Sequence, residues 1–229
     1  MASIMITGAN GGLGLAVTKR LSDDGFKVLA VAGKQGAGTL KNGSDVQTYE
    51  LDLLEARIAE QFVSTSWDAG RELEAAVLLV GGFAMGKLTE TDHDSLEKMF
   101  NLNFYSAFNI VKPLMKYFQK SAKGGRFILV GSRPGLDASA GKDFFAYSLS
   151  KAMVFKLAEF INVEGKGHNV DAVVIVPSTI DTEANRQAMP DADFSKWVTP
   201  EAIAKTISFY LSAEGRMIKE AVVKIYNRS

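Results

Sequence analysis

The stretch TGANGGLG at residues 7–14 follows directly on the apolar run SIMI at residues 3–6 and gathers four glycines into eight positions. Glycine loses more backbone freedom on folding than any other residue, so such a cluster needs a turn with positive φ or a group that must come close to the main chain. A phosphate is such a group, because a helix N-terminus presents unpaired N–H groups and a partial positive charge. The order strand, glycine turn, helix is either a plain turn or the one that cradles a pyrophosphate, and its spacing G-x-x-x-G-x-G differs from the fingerprint G-x-G-x-x-G. Gly8 makes the tight exit, Gly12 lets the ligand approach, and Gly14 lets the helix pack near the strand.

Outward from that turn, short aliphatic runs alternate with segments of helical period. The runs are SIMIT (3–7), KVLAVA (27–32), VQTYEL (46–51), AAVLLV (75–80), RFILV (126–130), VDAVVIV (170–176) and AVVKIY (221–226). Most lack polar alternation, as expected of parallel strands covered on both faces. Between them lie amphipathic stretches such as LGLAVTKRLSDDG (13–25), ending at Gly25 as a helix does at a left-handed cap, and AYSLSKAMVFKLAEFINVEG (146–165). The alternation predicts a Rossmann-type, doubly wound α/β sheet of about seven parallel strands flanked by helices, in one domain over residues 1–229. One long loop, PSTIDTEANRQAMPDADFSKWVTP (177–200), follows the sixth strand before a helix restarts with Thr199 as N-cap and Pro200 at its first position. A loop of that length after a strand's carboxyl end is expected to be a mobile lid over residues 182–197.

Composition narrows the partners. Basic and acidic residues balance at 26 each, so no overall field draws the chain to nucleic acid or to an anionic membrane, and a small-molecule partner is expected. The absence of cysteine excludes disulfides, thiolate catalysis and cysteine zinc sites. The two histidines, His93 and His168, are far apart and read as surface residues near helix ends; no metal-ligand spacing is present, so no metal is expected. No apolar run approaches the ~20 residues that span a bilayer, and the cytoplasm is the expected compartment.

A second signal lies far from the glycine turn. Tyr147 has a lysine four residues on, in YSLSK, which sets Tyr147 and Lys151 on one helix face. Ser132 ends the RFILVGS strand at the carboxyl edge where substrates dock, and Asn103 lies in NLNFYSAF before a helical continuation.

With these residues together, the chain resembles the short-chain dehydrogenase/reductase family over nearly its full length. TGANGGLG matches the family's T-G-x-x-x-G-x-G, and Asn103, Ser132, Tyr147 and Lys151 fall at its catalytic positions. The resemblance implies a dinucleotide held by Gly8, Asn10, Gly12, Leu13 and Gly14, with Asp52 and Leu53 of LDL (51–53) at the adenine edge and Gly81 after the fourth strand. It further implies Tyr147 and Lys151 at the ribose, and Pro177, Ile180 and Thr182 of PSTIDT (177–182) at the nicotinamide carboxamide. Two departures stand out: LLVG (78–81) replaces the family's N-N-A-G, and Ser178 replaces a glycine. VGGFAMGK (80–87) and residues 179–197 look like dihydropteridine reductases of the same family, which usually lack the serine that Ser132 supplies.

The activity so implied is hydride transfer between a nicotinamide and a ketone or secondary alcohol. Tyr147 would be the acid–base, helped toward the phenolate by the Lys151 ammonium. Ser132 would donate to the substrate oxygen, and Asn103 would organise a water linking Lys151 to solvent. A dihydropteridine-type reductase and a non-catalytic dinucleotide sensor are the alternatives; a sensor has no need of the Ser, Tyr and Lys. Phe83, Met85, Phe144 and Phe145 read either as pocket wall or as core, and Arg133 and Arg186 either as anchors for an anionic substrate or as solvated cations. An enzyme preferring NAD places an acid about 18 to 20 residues after the last motif glycine. Here those positions are Ala32, Gly33 and Lys34, so NADP is expected, with NAD possible, Lys34 facing the 2′-phosphate. A homodimer or homotetramer is expected on the same resemblance.

Overall fold

The computed structural model describes residues 2–33, 40, 43–68 and 72–228; Lys34 lies outside them. Among the described residues, seven strands form one parallel sheet in the order β3-β2-β1-β4-β5-β6-β7. They are β1 (Ser3–Thr7), β2 (Lys27–Ala32), β3 (Val46–Glu50), β4 (Leu73–Leu78), β5 (Gly125–Val130), β6 (Val170–Pro177) and β7 (Val222–Ile225). Pleating splits each apolar run between two cores. Met5, Leu29, Phe127 and Val174 face α2 (Ala56–Asp68), α4 (Ser106–Lys120) and α6 (Phe145–Gly165). Ile4, Ile6, Ile128 and Val173 face α1 (Gly12–Asp23) and α8 (Pro200–Leu211). The expected helix ends hold, with Gly25 at φ +86° behind α1 and Thr199 accepting from the Ala202 N–H at 3.3 Å.

The strand order reverses between β1 and β4, so the connections leaving their carboxyl ends run to opposite faces of the sheet and open a crevice there. β4 ends at Leu78, two residues before the expected Val80. Beyond Thr7, which accepts the Leu79 N–H at 3.2 Å, β1 turns away at Gly8 with φ +66°, so residues 80–82 have no strand on that side to pair with.

The stretch 177–200 is not one irregular loop. Residues Glu183–Ala188 form α7, Phe194–Lys196 a 3₁₀ turn, and an Ile180–Val198 bridge closes the base. Arg186 grips both carboxylate oxygens of Asp181, at 2.6 and 2.8 Å, while its guanidinium lies 4.8 Å over the Phe194 ring. The segment is thus a folded flap held at one base.

One buried ion pair ties down the last sixth of the chain. Arg126 at the start of β5 is fully buried and bidentate to Asp171 on β6, at 2.7 and 2.6 Å. Its remaining donors reach the carbonyls of Tyr210, Gly215, Arg216 and Ile218, so the cost of burying the charge is met by a full set of partners. This clamp fixes the turn that delivers β7 to the sheet edge.

Candidate active site

Asn103, Ser132, Tyr147 and Lys151 meet at the carboxyl edge of β4 and β5. Ser132 lies just past β5 and caps α5 (Arg133–Leu136), its Oγ accepting from the Gly135 N–H at 3.2 Å. That bond orients the hydroxyl and leaves its proton for another acceptor. The Ser132 hydroxyl also neighbours the Tyr147 phenol and lowers its titration. Four residues along α6, Lys151 is buried and donates to the Val130 carbonyl at 2.9 Å.

Asn103 sits in a π-helical turn, Asn101–Tyr105, between α3 (His93–Phe100) and α4, where the Ser106 N–H reaches back to the Asn101 carbonyl. Such widened turns recur at functional sites. The Asn103 Oδ1 accepts the Gly82 N–H at 2.9 Å while Nδ2 donates to the Gly82 carbonyl at 3.0 Å and to Ser150 Oγ at 3.0 Å. Its carboxamide therefore holds the end of β4, where no strand is left to do so. A Cβ at Gly81 would stand 2.8 Å from Asn103 Oδ1 and 3.3 Å from Lys151 Nζ, which explains glycine there.

The electrostatics favour neutral groups. Burial pushes the Tyr147 phenol above its ordinary value, against a smaller lowering from the Ser132 hydrogen bond. Burial also pushes the Lys151 ammonium down to about 8. Burial thus keeps the phenol protonated at neutral pH, while the help toward phenolate implied by the resemblance calls on an oxidised nicotinamide as well as on Lys151.

The glycine turn fits a phosphate. The α1 N-terminus has Gly11 as N-cap, no side-chain cap and no acid in its first turn, so nothing on the helix competes with an anion for its N–H groups. A Cβ on Gly14 would lie 2.1 Å from the Gly8 carbonyl oxygen, so only glycine lets the turn close this tightly. Asn10 is half-buried in that turn, and Leu13, in the first turn of α1, packs on the core beneath. From the flap, the Thr182 side chain approaches Gly12 while its hydroxyl caps α7. Pro177 ends β6, and Ile180 sits in the bridge at the base of the flap. Ser178, where the family has glycine, has no left-handed φ and donates to the Tyr226 carbonyl at 3.0 Å.

At the other end of the crevice, Asp52 Oδ1 accepts the Leu54 N–H at 3.0 Å and Leu53 is buried, its carbonyl bonded by Asn109 of α4 at 2.9 Å. Of the two described positions at the end of β2, Ala32 is buried, while Gly33 is exposed and a Cβ there would meet nothing within 4 Å. Arg186 is engaged by Asp181, and Arg133 lies 5.6 Å over the Tyr226 ring. Ser150 and Asn109 were not singled out by the sequence reading, since each acts through a partner at least 47 positions away.

A family model described as short chain dehydrogenase matches residues 2–193. The 3-oxoacyl-[acyl-carrier-protein] reductase MabA of Mycobacterium tuberculosis is 29% identical over 97% of this chain and 90% of its own length. The dihydropteridine reductase of Dictyostelium discoideum is 23% identical over 99% of this chain and 95% of its own. Among solved structures, ElxO with NADP bound superposes with a TM-score of 0.88 at 21% identity, covering 98% of this chain and 96% of that one.

Proposed function

The chain belongs to the short chain dehydrogenase family, and on that premise we propose that it is an NADPH-dependent reductase of ketones. The observation that carries this reading is the convergence of Ser132, Tyr147 and buried Lys151 at one edge of the sheet, with Lys151 held by the Val130 carbonyl, at the mouth of a crevice whose glycine turn suits a pyrophosphate. A bound nicotinamide supplies the hydride to the carbonyl carbon. Every other task falls to groups of this chain. Ser132, oriented by Gly135, donates to the carbonyl oxygen as negative charge develops. Tyr147, kept protonated by burial, gives that oxygen its proton. Lys151 holds ribose hydroxyls and supplies positive charge behind Tyr147, and Asn103 keeps Gly81 and Gly82 at the right height beside it. Gly8, Asn10, Gly12, Leu13 and Gly14 hold the phosphates, Asp52 and Leu53 the adenine, and Pro177, Ile180 and Thr182 the carboxamide.

The test is a panel of ketones with NADPH and NADH, followed by nicotinamide absorbance. Turnover of ketones, faster with NADPH, is expected; no turnover of any ketone would overturn the reading. A pterin reductase activity is the second reading, supported by the full-length likeness to the Dictyostelium enzyme. A quinonoid dihydropterin in the same panel separates the two.

The active form is a cytoplasmic homodimer or homotetramer. Supporting the oligomer, Phe108 of α4 and Phe160 and Val163 of α6 leave large apolar side chains exposed to water. Phe160→Glu should shift the sedimentation coefficient to that of a smaller species; an unchanged value would place the contact elsewhere.

A further inference from the structure

The arch that joins β4 to α3 carries an exposed aromatic ring beside the reacting groups. Residues 81–86, GGFAMG, contain no charged side chain. The arch is pinned at both ends. Gly82 exchanges two hydrogen bonds with Asn103, and Gly86 donates to the Asp143 carbonyl at 2.8 Å and accepts the Phe145 N–H at 2.8 Å. Between the pins, Phe83 is 58% exposed and Met85 75% exposed. The Phe83 ring meets Tyr147 edge-on at 5.0 Å between centroids and leans on Phe144 at 5.1 Å.

An aromatic side chain left open to water on a rigid support, in contact with the proton donor, loses apolar burial unless a ligand covers it. We infer that Phe83 is the specificity platform of the site, and that the substrate is an uncharged ketone bearing an aromatic or cyclic substituent packed on its exposed face. This rests on the ketone-reductase reading above. A carbonyl whose oxygen lies at Ser132 and Tyr147 has one substituent directed along the Tyr147 ring edge, where Phe83 stands. The cations named on the arch and the flap already have acidic partners: Lys87, next in sequence, faces Glu90 at 3.8 Å, and Arg186 is engaged by Asp181.

The test compares a phenyl alkyl ketone, a cyclohexyl alkyl ketone, a short linear ketone and a 2-oxo acid as substrates of the parent, Phe83→Ala and Phe83→Trp proteins. Phe83→Ala should lower kcat/KM for the ring-bearing ketones by ~10-fold, mostly through KM, and leave the short linear ketone within about twofold. Phe83→Trp should restore the ring-bearing substrates. An equal loss on all four, no loss on any, or a parent preference for the oxo acid would overturn the inference while leaving the reductase reading intact. Failure of the parent to reduce any ketone would overturn both.

Discussion

Asn103 and Gly82 exchange a pair of hydrogen bonds, Gly82 N–H to Oδ1 at 2.9 Å and Nδ2 to the Gly82 carbonyl at 3.0 Å, as one strand does with its neighbour. The side chain completes the sheet where β1 has already turned away, and through Ser150 it reaches the carbonyl of Tyr147, to which Ser150 Oγ donates at 2.8 Å. Position and chemistry are thus joined in one buried carboxamide.

Replacing Asn103 with Ala should leave a partly buried main-chain pair at Gly82 without its partners, at a cost of about 1–3 kcal/mol. Urea unfolding should show that loss together with reduced kcat. Asn103→Asp should do worse in turnover than in stability, because a carboxylate still accepts from Gly82 but places negative charge near Lys151. Wild-type kcat in both variants would contradict the positioning role.

Tyr147→Phe removes one hydroxyl from a half-buried ring. Turnover should fall by at least ~10²-fold, as for loss of a general acid, while cofactor affinity measured by nicotinamide fluorescence stays within a few-fold. A variant retaining most of its kcat would require a different proton donor.

Lys151 sits in a cavity that disfavours its charge, its pKa pushed down to about 8 from 10.5. The unfolded chain therefore binds the proton more tightly, and the folded state is penalised below pH ~8 by up to about 3 kcal/mol, a penalty that fades as pH rises toward the unfolded value. Lys151→Met should consequently unfold at higher temperature than the parent at pH 7, with the gap closing by pH 10, and should bind NADPH more weakly. In the parent, cofactor affinity should decline as pH passes about 8. A Lys151→Met protein less stable than the parent at pH 7 would show that the Val130 hydrogen bond outweighs desolvation.

Gly33 is the open position at the end of β2 for a carboxylate, since Ala32 is buried. Gly33→Asp should accept hydrogen bonds from a ribose 2′-hydroxyl and repel a 2′-phosphate, reversing a parent preference for NADPH of roughly tenfold. Measuring kcat/KM for both cofactors on both proteins decides it; a parent that favours NADH would refute the NADP assignment.

The flap has its own folded structure, so its motion should be that of a unit hinged at the Ile180–Val198 bridge. Hydrogen exchange over residues 183–196 should slow when NADP and an alcohol product bind, and Arg186→Ala should abolish that protection by freeing Asp181 and Phe194 from one another. Identical exchange with and without ligands would exclude a closing role.

Much of the site was legible because the elements that carry it are local. A helix places residues four apart on one face, so Tyr147 and Lys151 were paired by spacing, and Ser132 followed from its place at a strand end. The Asn103 position was readable only through resemblance, and its contact was not readable at all. The partner is a main-chain group 21 residues away, and what leaves that group available is the turn of a third segment at Gly8.

The sequence by itself determined the seven strands, the glycine turn and the helix caps, because apolar period, glycine conformation and capping chemistry act over a few residues. The tertiary structure alone decided that β4 stops at Leu78, that residues 177–200 fold into a flap, and that Arg126 is a buried clamp with Asp171. Desolvation depends on everything that surrounds a side chain, so no spacing along the chain could show that burial pushes the Tyr147 phenol up and the Lys151 ammonium down.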